Sequence, residues 1–325
     1  MKKAIMYGAG NIGRGFAGAL LSQSGYEVAF IDVAQPLVQK INEAGCYTVR
    51  TISNDVFSDT LITNVCAIDG RNREAVADAI AGADLAATAV GVNILGQIAP
   101  NIAEGVRRRF QRTDAPLDII ICENLLDADR VLAEMIRQHL TEQEQALFSK
   151  RIGLVEVSIG RMVPVQTEQM RLDDPLRVCA EAYAFLPVDR AAFCGEIPPI
   201  QGLVPYTPFG YYIQRKLFLH NMGHAVCAYL GLCFGYTYIA EAAEDPDMLL
   251  LVKNAMLESM LALGAEYNAS CPAMAALLKL AGLEPESKSA RLILPLYEEI
   301  ARGTSPKFLR RKVDELRREY TRPVV

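Results

Sequence analysis

The stretch KKAIMYGAGNIGRGFAGALLSQSGYEVAFID, residues 2–32, decides the fold of this chain. A short apolar run, which predicts a buried strand, is followed by Gly8, Gly10 and Gly13 and then by an apolar helix that a further glycine ends. A second apolar run predicts another strand, and this strand ends at Asp32. This order of a strand, a glycine turn, a helix, a second strand and an acidic residue matches the dinucleotide-binding fingerprint.

Each position of the fingerprint has a physical role. Gly8 permits the tight turn, Gly10 lets a pyrophosphate approach the backbone, and Gly13 lets the helix pack on the strand. Asp32 can accept hydrogen bonds from ribose hydroxyls and would repel a 2′-phosphate, so the sequence favours NAD over NADP. The alternative is a glycine-rich turn that binds no ligand. Further cofactor contacts are predicted at the start of the helix and at later strand ends, from Asn11, Ile12, Val90 and Asn124.

Strand-like and helical segments alternate after this first unit. Residues 84–90 and 117–122 are buried-strand patterns, and each is followed by a helical pattern. Repeated strand–helix units predict an α/β protein with a parallel, doubly wound sheet. Ligands of such sheets bind beyond the carboxyl ends of the strands, where Glu123 and Asn124 fall. Two later patterns, residues 151–165 and 176–185, are predicted to extend the same sheet.

A change of composition predicts two domains. Residues 195–208 are rich in glycine and proline, as is typical of a linker or loop, and nearly all residues from 211 onward fit helical patterns. With the boundary after residue 190, we expect a Rossmann NAD-binding domain with an extended sheet at 1–190. A mostly α-helical substrate and catalytic domain is expected at 191–325.

The bulk composition excludes several classes of function. The net charge of −5, without a basic run that interleaves aromatic residues, argues against nucleic acid or an anionic membrane as a partner. No run of about 18 apolar residues occurs, so no membrane span is expected. Eight cysteines without a CxxC pair, mostly in apolar runs, are typical of an intracellular protein with reduced thiols. We therefore expect a cytoplasmic protein, monomeric or homodimeric, with a small-molecule substrate.

A second stretch, RKLFLHNMGHAVCAY at residues 215–229, places polar groups inside an apolar helical pattern. At 100° per residue, Lys216 and His224 are about 80° apart, and Asn221 lies about 60° beyond His224. Desolvation disfavours the charged form of a buried lysine, which suits it to act as a base, and an asparagine can donate to a developing alkoxide. The alternative is a snorkelling lysine with a structural asparagine and histidine.

A metal site is a further alternative for this helix. His220 and His224 are four residues apart, a spacing that can hold zinc. Residue 221 is asparagine, so the pattern is not HExxH, and no third imidazole or carboxylate lies nearby in the sequence. We therefore predict no metal.

These motifs together resemble a known family. GAGNIGRGFAG, DLAATAVG, ENL and above all RKLFLHNMGHAVCAYLG are similar to the polyol-specific long-chain dehydrogenases and reductases, the mannitol dehydrogenase family, whose pattern KxxxxNxxH is met by Lys216, Asn221 and His224. The resemblance implies a metal-independent oxidoreductase in which Lys216 is the general acid/base, Asn221 polarises the carbonyl oxygen and His224 holds a neighbouring hydroxyl. For the members that act on phosphosugars, it implies NAD-dependent interconversion of D-mannitol 1-phosphate and D-fructose 6-phosphate.

The same resemblance bears on the substrate. The family usually has an aspartate before the arginine of the segment that here reads VSIGRM, where Gly160 precedes Arg161, and Glu156 stands near the expected oxyanion donor. Substrate contacts are predicted from Arg14, Glu156, Arg161 and, in the C-terminal region, Arg291.

Two rival functions are considered beside this one. An anionic pocket around Glu156 would favour an NAD-dependent reductase of an unphosphorylated ketose or uronate, because it would repel a phosphate. A catalytically silent NAD-binding sensor would keep the glycine fingerprint without using Lys216.

Overall fold

The computed structural model describes residues 1–53, 56–172 and 174–267. They form two compact units, Met1–Phe209 and the chain from Gly210 onward. The strands, all in the first unit, are β1 (Lys2–Tyr7), β2 (Tyr26–Asp32), β3 (Tyr47–Ser53), β4 (Val56–Ile62), β5 (Val65–Asp69), β6 (Leu85–Thr88), β7 (Leu117–Ile121), β8 (Ile152–Glu156), β9 (Val178–Glu181), β10 (Leu186–Asp189) and β11 (Leu203–Tyr206).

Helices connect these strands and build the second unit. A π-helical turn, Gly13–Ala17, leads directly into the first α-helix. The helices of the first unit are α1 (Gly18–Gln23), α2 (Gln35–Ala44), α3 (Arg73–Ala81), α4 (Leu95–Arg112), α5 (Ala128–Arg137), α6 (Glu142–Arg151) and α7 (Glu168–Arg171). Those of the second are α8 (Gly210–Arg215), the π-helical turn Lys216–Asn221, α9 (Met222–Cys233), α10 (Ile239–Glu244) and α11 (Pro246–Glu266).

The main sheet of the first unit has six parallel strands in the order β5-β2-β1-β6-β7-β8. Numbered by their appearance in this sheet, the strands run 3-2-1-4-5-6, the order of a dinucleotide-binding Rossmann fold. The predicted α/β class, with a doubly wound parallel sheet and a helical C-terminal part, is therefore confirmed. The order reverses between β1 and β6, so the ligand crevice is expected at the carboxyl ends of these two strands.

Alternation along the strands gives the sheet two apolar cores. Met6 and Phe30 are fully buried on one face with Phe16 of the glycine-loop helix. Ile31 and Ile121 are buried on the other face, beneath the helices between the later strands. Because both faces are covered, the strands are continuous apolar runs rather than amphipathic ones.

The strands beyond the Rossmann core differ from the sequence prediction. The pattern at residues 176–185 does not extend the main sheet: β9 pairs in parallel with β3, which is antiparallel to β4. The predicted strand at 151–165 ends at Glu156, where the chain leaves the sheet. These strands pair with partners distant in sequence, and periodicity contains no information on which partner a strand takes.

The first unit also extends further along the chain than the predicted boundary after residue 190. Strands β10 and β11 pair with each other, and the whole of the predicted linker at 195–208 belongs to this unit. Asp118 in the buried strand β7 holds the same segment, because its carboxylate accepts from the backbone nitrogens of Cys194 and Gly195, at 2.8 and 3.1 Å. These two hydrogen bonds explain why an acidic residue, Asp118, is buried in an otherwise apolar strand.

The described residues of the second unit form helices joined by short turns. Leu219, Cys227 and Met260 are buried among α9, α10 and α11 and the π-helical turn. At Gly223, a Cβ atom would lie 2.8 Å from the sulfur of Met256, so glycine permits the close approach of α9 and α11. Within the described residues, no helix is both long and apolar enough to cross a membrane.

Candidate functional site

The glycine loop lies at the point where the strand order reverses. Gly8 has φ +102°, and a Cβ there would lie 2.4 Å from the carbonyl oxygen of Ala89, at the end of β6. A Cβ on Gly13 would lie 2.0 Å from the carbonyl oxygen of Gly8. Gly10 is exposed, and its Cβ would meet nothing within 4 Å. Two glycines therefore close the turn and the third leaves open space beside the backbone, as the pyrophosphate of a dinucleotide requires.

Asp32 ends β2 beside this loop and helps to hold it. One carboxylate oxygen accepts from the backbone nitrogen of Ala9 at 2.8 Å, and the other from that of Ala34 at 2.9 Å. A carboxylate has about four acceptor positions, so two remain for the hydroxyls of a ribose. The position predicted for cofactor recognition is thus both supported by the backbone and able to bind a ligand.

A cation that the sequence analysis missed lies next to Asp32. Strand β5 pairs Asp69 with Asp32, and the guanidinium of Arg71 donates to Asp69 at 3.1 Å and to the carbonyl oxygen of Val33 at 3.3 Å. Arg71 lies far beyond Asp32 in the sequence, and only the parallel pairing of β2 with β5 brings them to one edge. The adenosine end of the predicted cofactor site therefore contains a positive charge as well as negative ones.

Glu123 holds the loop on the other side of the crevice. Its side chain is 9% exposed, and its two oxygens accept from the backbone nitrogens of Val90 and Gly91, both at 2.9 Å. Val90 was predicted to bind the cofactor, and this contact fixes its backbone just beyond β6. Asn124, the other residue predicted at a strand end, is exposed beyond β7. Glu123 thus positions the loop that borders the crevice, a role that no local pattern indicates.

The two remaining residues predicted to contact the cofactor pack into the first unit. The side-chain amide of Asn11 donates to the carbonyl oxygen of Pro164 at 3.1 Å. Ile12 is partly buried against the core. A phosphate could therefore be bound by the backbone N–H groups of these residues, at the start of the helix, and not by their side chains.

Arg14, predicted to bind substrate, is buried, and its guanidinium is hydrogen-bonded to the backbone. It is 5% exposed, its Nε donates to the carbonyl oxygen of Ala9 at 2.7 Å, and its Nη1 donates to that of Leu176. Burial lowers the pKa of this guanidinium. These contacts join the glycine loop to a segment distant in sequence.

Glu156, also predicted to contact the substrate, accepts a hydrogen bond from the backbone at the start of a helix. Its Oε1 accepts from the backbone nitrogen of Ala128 at 2.7 Å, at the first residue of α5. The residue before this helix, Asp127, has φ 51° and makes no side-chain cap of its own. The carboxylate at the end of β8 therefore caps a helix whose N-terminus would otherwise leave a donor unpaired.

The surroundings of Glu156 make its ionised form costly. Burial first, and then the carboxylates of Asp129, Asp127 and Asp189, raise its pKa to about 6. Since the pKa in the folded protein exceeds that of the unfolded chain, folding penalises the ionised form. The penalty is complete above about pH 6 and disappears as the pH falls through about 4.5.

We therefore expect Glu156→Gln to stabilise the protein in a pH-dependent way. The amide oxygen can still accept from Ala128, whereas the charge is gone. At about pH 7.5 the free energy of unfolding should rise by about 1 kcal/mol, roughly half of what the full shift corresponds to, because solvent screens a half-exposed group. Urea unfolding of both proteins at about pH 7.5 and about pH 4.5 measures this, and the difference should fall to roughly a fifth at the lower pH. The exposed Glu134→Gln is the control, and a pH-independent gain at both positions would contradict a charge penalty at Glu156.

Of the two other residues predicted to contact the substrate, the structure describes Arg161 but not Arg291. Arg161 is 8% exposed, and its Nε donates to the carbonyl oxygen of Glu181 at 2.7 Å. It lines a small cavity of the first unit. Arg291 lies outside the described residues.

The helix that carries the candidate catalytic residues departs from α geometry where they occur. Lys216–Asn221 is a π-helical turn, and the backbone nitrogen of Met222 donates to the carbonyl oxygen of Leu217, five residues earlier. In π geometry, residues five apart lie close to one side of the helix. The predicted separation of about 140° between Lys216 and Asn221 is therefore too large, because it assumed 100° per residue.

Lys216 and the two histidines have distinct surroundings within this helix. Burial lowers the pKa of Lys216, as expected for a lysine that acts as a base. The rings of His220 and His224 pack edge to face, with centroids 4.7 Å apart. No third His, Cys, Asp or Glu of the described residues joins them in a group that could hold a metal.

Two family models match the chain. The mannitol dehydrogenase Rossmann domain covers residues 2–202, and the mannitol dehydrogenase C-terminal domain covers residues 209–273. Mannitol-1-phosphate 5-dehydrogenase of Brevibacillus brevis is 41% identical over 265 residues, which are 82% of this chain and 67% of that protein. The protein of the same name from Bacillus subtilis is 41% identical over 257 residues, which are 79% of this chain and 67% of that protein.

Two solved structures share the fold. Pseudomonas fluorescens mannitol 2-dehydrogenase, in a ternary complex with NAD and D-mannitol, matches with a TM-score of 0.70 at 14% identity, over 86% of this chain and 68% of that one. D-sorbitol dehydrogenase in substrate-free form matches with a TM-score of 0.68 at 14% identity, over 77% of this chain and 63% of that one.

Proposed function

The chain belongs to the mannitol dehydrogenase family, and from this membership we propose that it interconverts D-mannitol 1-phosphate and D-fructose 6-phosphate with NAD. The relatives that are about 41% identical carry the name of that activity. The observation that carries the proposal is Lys216. It begins a π-helical turn, its pKa is lowered by burial, and it stands in the family pattern with Asn221 and His224.

The chemistry assigns one task to each of these side chains. The nicotinamide supplies or accepts the hydride. In polyol oxidation, neutral Lys216 takes the proton from the reacting hydroxyl, and in ketose reduction its ammonium returns that proton. The amide of Asn221 donates to the oxygen on which negative charge develops. His224 holds a neighbouring hydroxyl, which fixes the sugar carbon that reacts.

The cofactor site of the first unit fits a nicotinamide dinucleotide. The open space beside Gly10 suits the pyrophosphate, and Asp32 keeps acceptor positions for a ribose. We propose NAD as the cofactor, because the carboxylate of Asp32 would repel the 2′-phosphate of NADP. A cytoplasmic location and a monomeric or dimeric state remain predictions.

We expect Asp32→Ala to raise the ratio of kcat/KM for NADP to that for NAD by about tenfold or more, the scale of one lost repulsion near a charged group. Arg71 should contribute, since its guanidinium lies at the same strand end and can approach a 2′-phosphate. Arg71→Ala added to Asp32→Ala should therefore reverse much of the gain. The control is Asp114→Ala, an exposed acid paired with Arg151. An unchanged cofactor ratio in Asp32→Ala would show that this residue does not contact the ribose.

The activity itself is tested with the purified chain by following NADH oxidation. Fructose 6-phosphate, fructose and a sugar acid such as fructuronate are compared as substrates. Turnover of fructose 6-phosphate with a clear preference over the other two is the expected result. Turnover of an unphosphorylated ketose or of the uronate alone would indicate the rival reductase. NADH binding without turnover of any of them would favour a sensor.

A further inference from the structure

Arg161, a buried arginine of the first unit, has fewer hydrogen-bond acceptors than the other two buried arginines, Arg109 and Arg14. Arg109 is 5% exposed and donates to four backbone carbonyl oxygens at 2.6–3.1 Å. Arg14, equally buried, donates from two of its nitrogens. Arg161 is 8% exposed and has a single protein acceptor among the described residues, the carbonyl oxygen of Glu181 at 2.7 Å from Nε. Its two terminal nitrogens therefore remain available to a ligand.

No described carboxylate pairs with this guanidinium. The carboxylate of Glu181 is close enough to favour the charged form of Arg161, but it forms no ion pair with the guanidinium, and one of its oxygens accepts from the backbone nitrogen of Met162 at 3.1 Å. One flank of the guanidinium is apolar, since its central carbon lies 5.5 Å from the centroid of the Phe16 ring. Burial lowers the pKa of Arg161. A desolvated cation that forms no direct ion pair is costly, and an anion that accepts from the guanidinium would offset that cost.

A cavity of about 170 Å³ is lined by Arg161. Its wall includes the inner face of the hairpin formed by β3 and β4, with the polar side chains of Thr51 and Thr60. Gln23 and Gln201 also line it, and both are exposed, so they mark its mouth. No carboxylate from the described part of the chain lines the cavity. The space is thus positive at one side, has neutral hydrogen-bonding groups around it and opens to solvent.

We propose that this cavity binds a small tetrahedral oxyanion of the size of inorganic phosphate. Arginine is suited to this ligand, because two parallel N–H groups of one guanidinium match two oxygens of a phosphate. A water molecule occupies roughly 30 Å³ in the liquid, so the volume accommodates the anion with some water and is too small for a whole sugar phosphate.

The oxyanion site is distinct from the cofactor crevice. The cavity contacts the glycine-loop helix at Ala19, Leu20 and Gln23, near its C-terminal end. The cofactor phosphates are expected at the other end of this helix, at Gly10 and Gly13. With a rise of 1.5 Å per residue, Ala19, the lining residue of this helix nearest to Gly13, is about 9 Å from it along the helix axis.

The test is calorimetric titration of the full chain with inorganic phosphate, with chloride adjusted to keep the ionic strength constant. The wild-type protein should bind one phosphate saturably. Arg161→Gln should weaken binding by about tenfold or more, the scale of losing hydrogen bonds to a charged group. Arg137→Gln removes the same charge from an exposed position and should bind as the wild type does. No saturable binding, or equal weakening in both variants, would overturn the proposal.

Two further measurements distinguish this cavity from the substrate and cofactor sites. Thr60→Val preserves the size of the side chain and should weaken phosphate binding a few-fold, which tests the cavity even if Arg161→Gln does not fold. Repeating the titration with saturating NADH, and separately with saturating fructose 6-phosphate, should leave phosphate binding unchanged. Displacement of phosphate by these ligands would place it in the substrate or cofactor site and would contradict a separate cavity.

Discussion

Replacing Lys216 with alanine is expected to lower kcat/KM for the ketose by about 10²- to 10⁴-fold, the range for removal of a general acid/base. The loss should fall mainly on kcat, because the proton is transferred in the transition state and not during binding. NADH binding should be unchanged, since the fingerprint residues belong to the first unit. Steady-state kinetics with fructose 6-phosphate and a fluorescence titration with NADH measure the two quantities.

Two lysine variants sharpen this prediction. Lys253→Ala changes another partly buried lysine of the second unit and should leave kcat/KM close to the wild-type value. Lys216→Arg keeps the positive charge but cannot supply a neutral base, because arginine stays protonated in proteins. It should be nearly as inactive as Lys216→Ala. Activity in Lys216→Arg near that of the wild type would mean that Lys216 acts through its charge and does not transfer the proton.

The pH dependence of the wild-type enzyme follows from the same residue. Burial lowers the pKa of Lys216 below its ordinary value. Polyol oxidation needs the neutral amine, so its rate should rise with pH through an apparent pKa below about 10.5, and ketose reduction should fall across the same range. The two profiles should therefore mirror each other.

Replacing Gly10 with alanine is expected to weaken NADH binding by about 10- to 100-fold while leaving the stability of the fold nearly unchanged. The added Cβ meets no described protein atom within 4 Å, so the free protein accommodates it. The bound pyrophosphate would occupy that space, and an overlap of this kind costs about 1–3 kcal/mol. The measurements are the dissociation constant of NADH and the melting temperature.

Two other glycines serve as references for this experiment. Gly82→Ala places a Cβ 3.5 Å from its nearest neighbour, in ordinary contact, and should alter neither quantity. Gly13→Ala places one 2.0 Å from the backbone oxygen of Gly8, so the turn must move and the melting temperature should fall along with the affinity. Unchanged NADH binding in Gly10→Ala would mean that the pyrophosphate does not approach this residue.

Local patterns were sufficient for the elements that bear the motifs. The apolar runs of β1, β2, β6 and β7 are buried on both faces, and such strands need only a continuous apolar sequence. The three glycines fix the turn between β1 and its helix, because the constraint lies within a few neighbouring residues. Both the Rossmann class and the positions of Asp32 and Glu123 at strand ends could therefore be predicted.

Side-chain partners far away in the sequence could not be predicted. Arg14 and Glu156 are charged residues near motifs, which made a substrate contact the natural prediction. Arg14 donates to the carbonyl oxygen of Leu176, which is 162 positions away in the sequence. Glu156 accepts from the backbone nitrogen of Ala128, which is 28 positions away. Hydrogen bonds of this range form only after distant segments have packed together, so no local pattern reveals them.

The sequence by itself determined which residues form the glycine fingerprint and the KxxxxNxxH pattern, since both are local spacings on one helix or turn. Only the tertiary structure decided that Lys216–Asn221 is a π-helical turn, that Arg71 lies beside Asp32, and that Arg161 borders a cavity without a paired carboxylate among the described residues. The physical reason is the same in each case. Packing and pairing between distant segments determine helix geometry and the surroundings of a charge, and neither is encoded in the spacing of neighbouring residues.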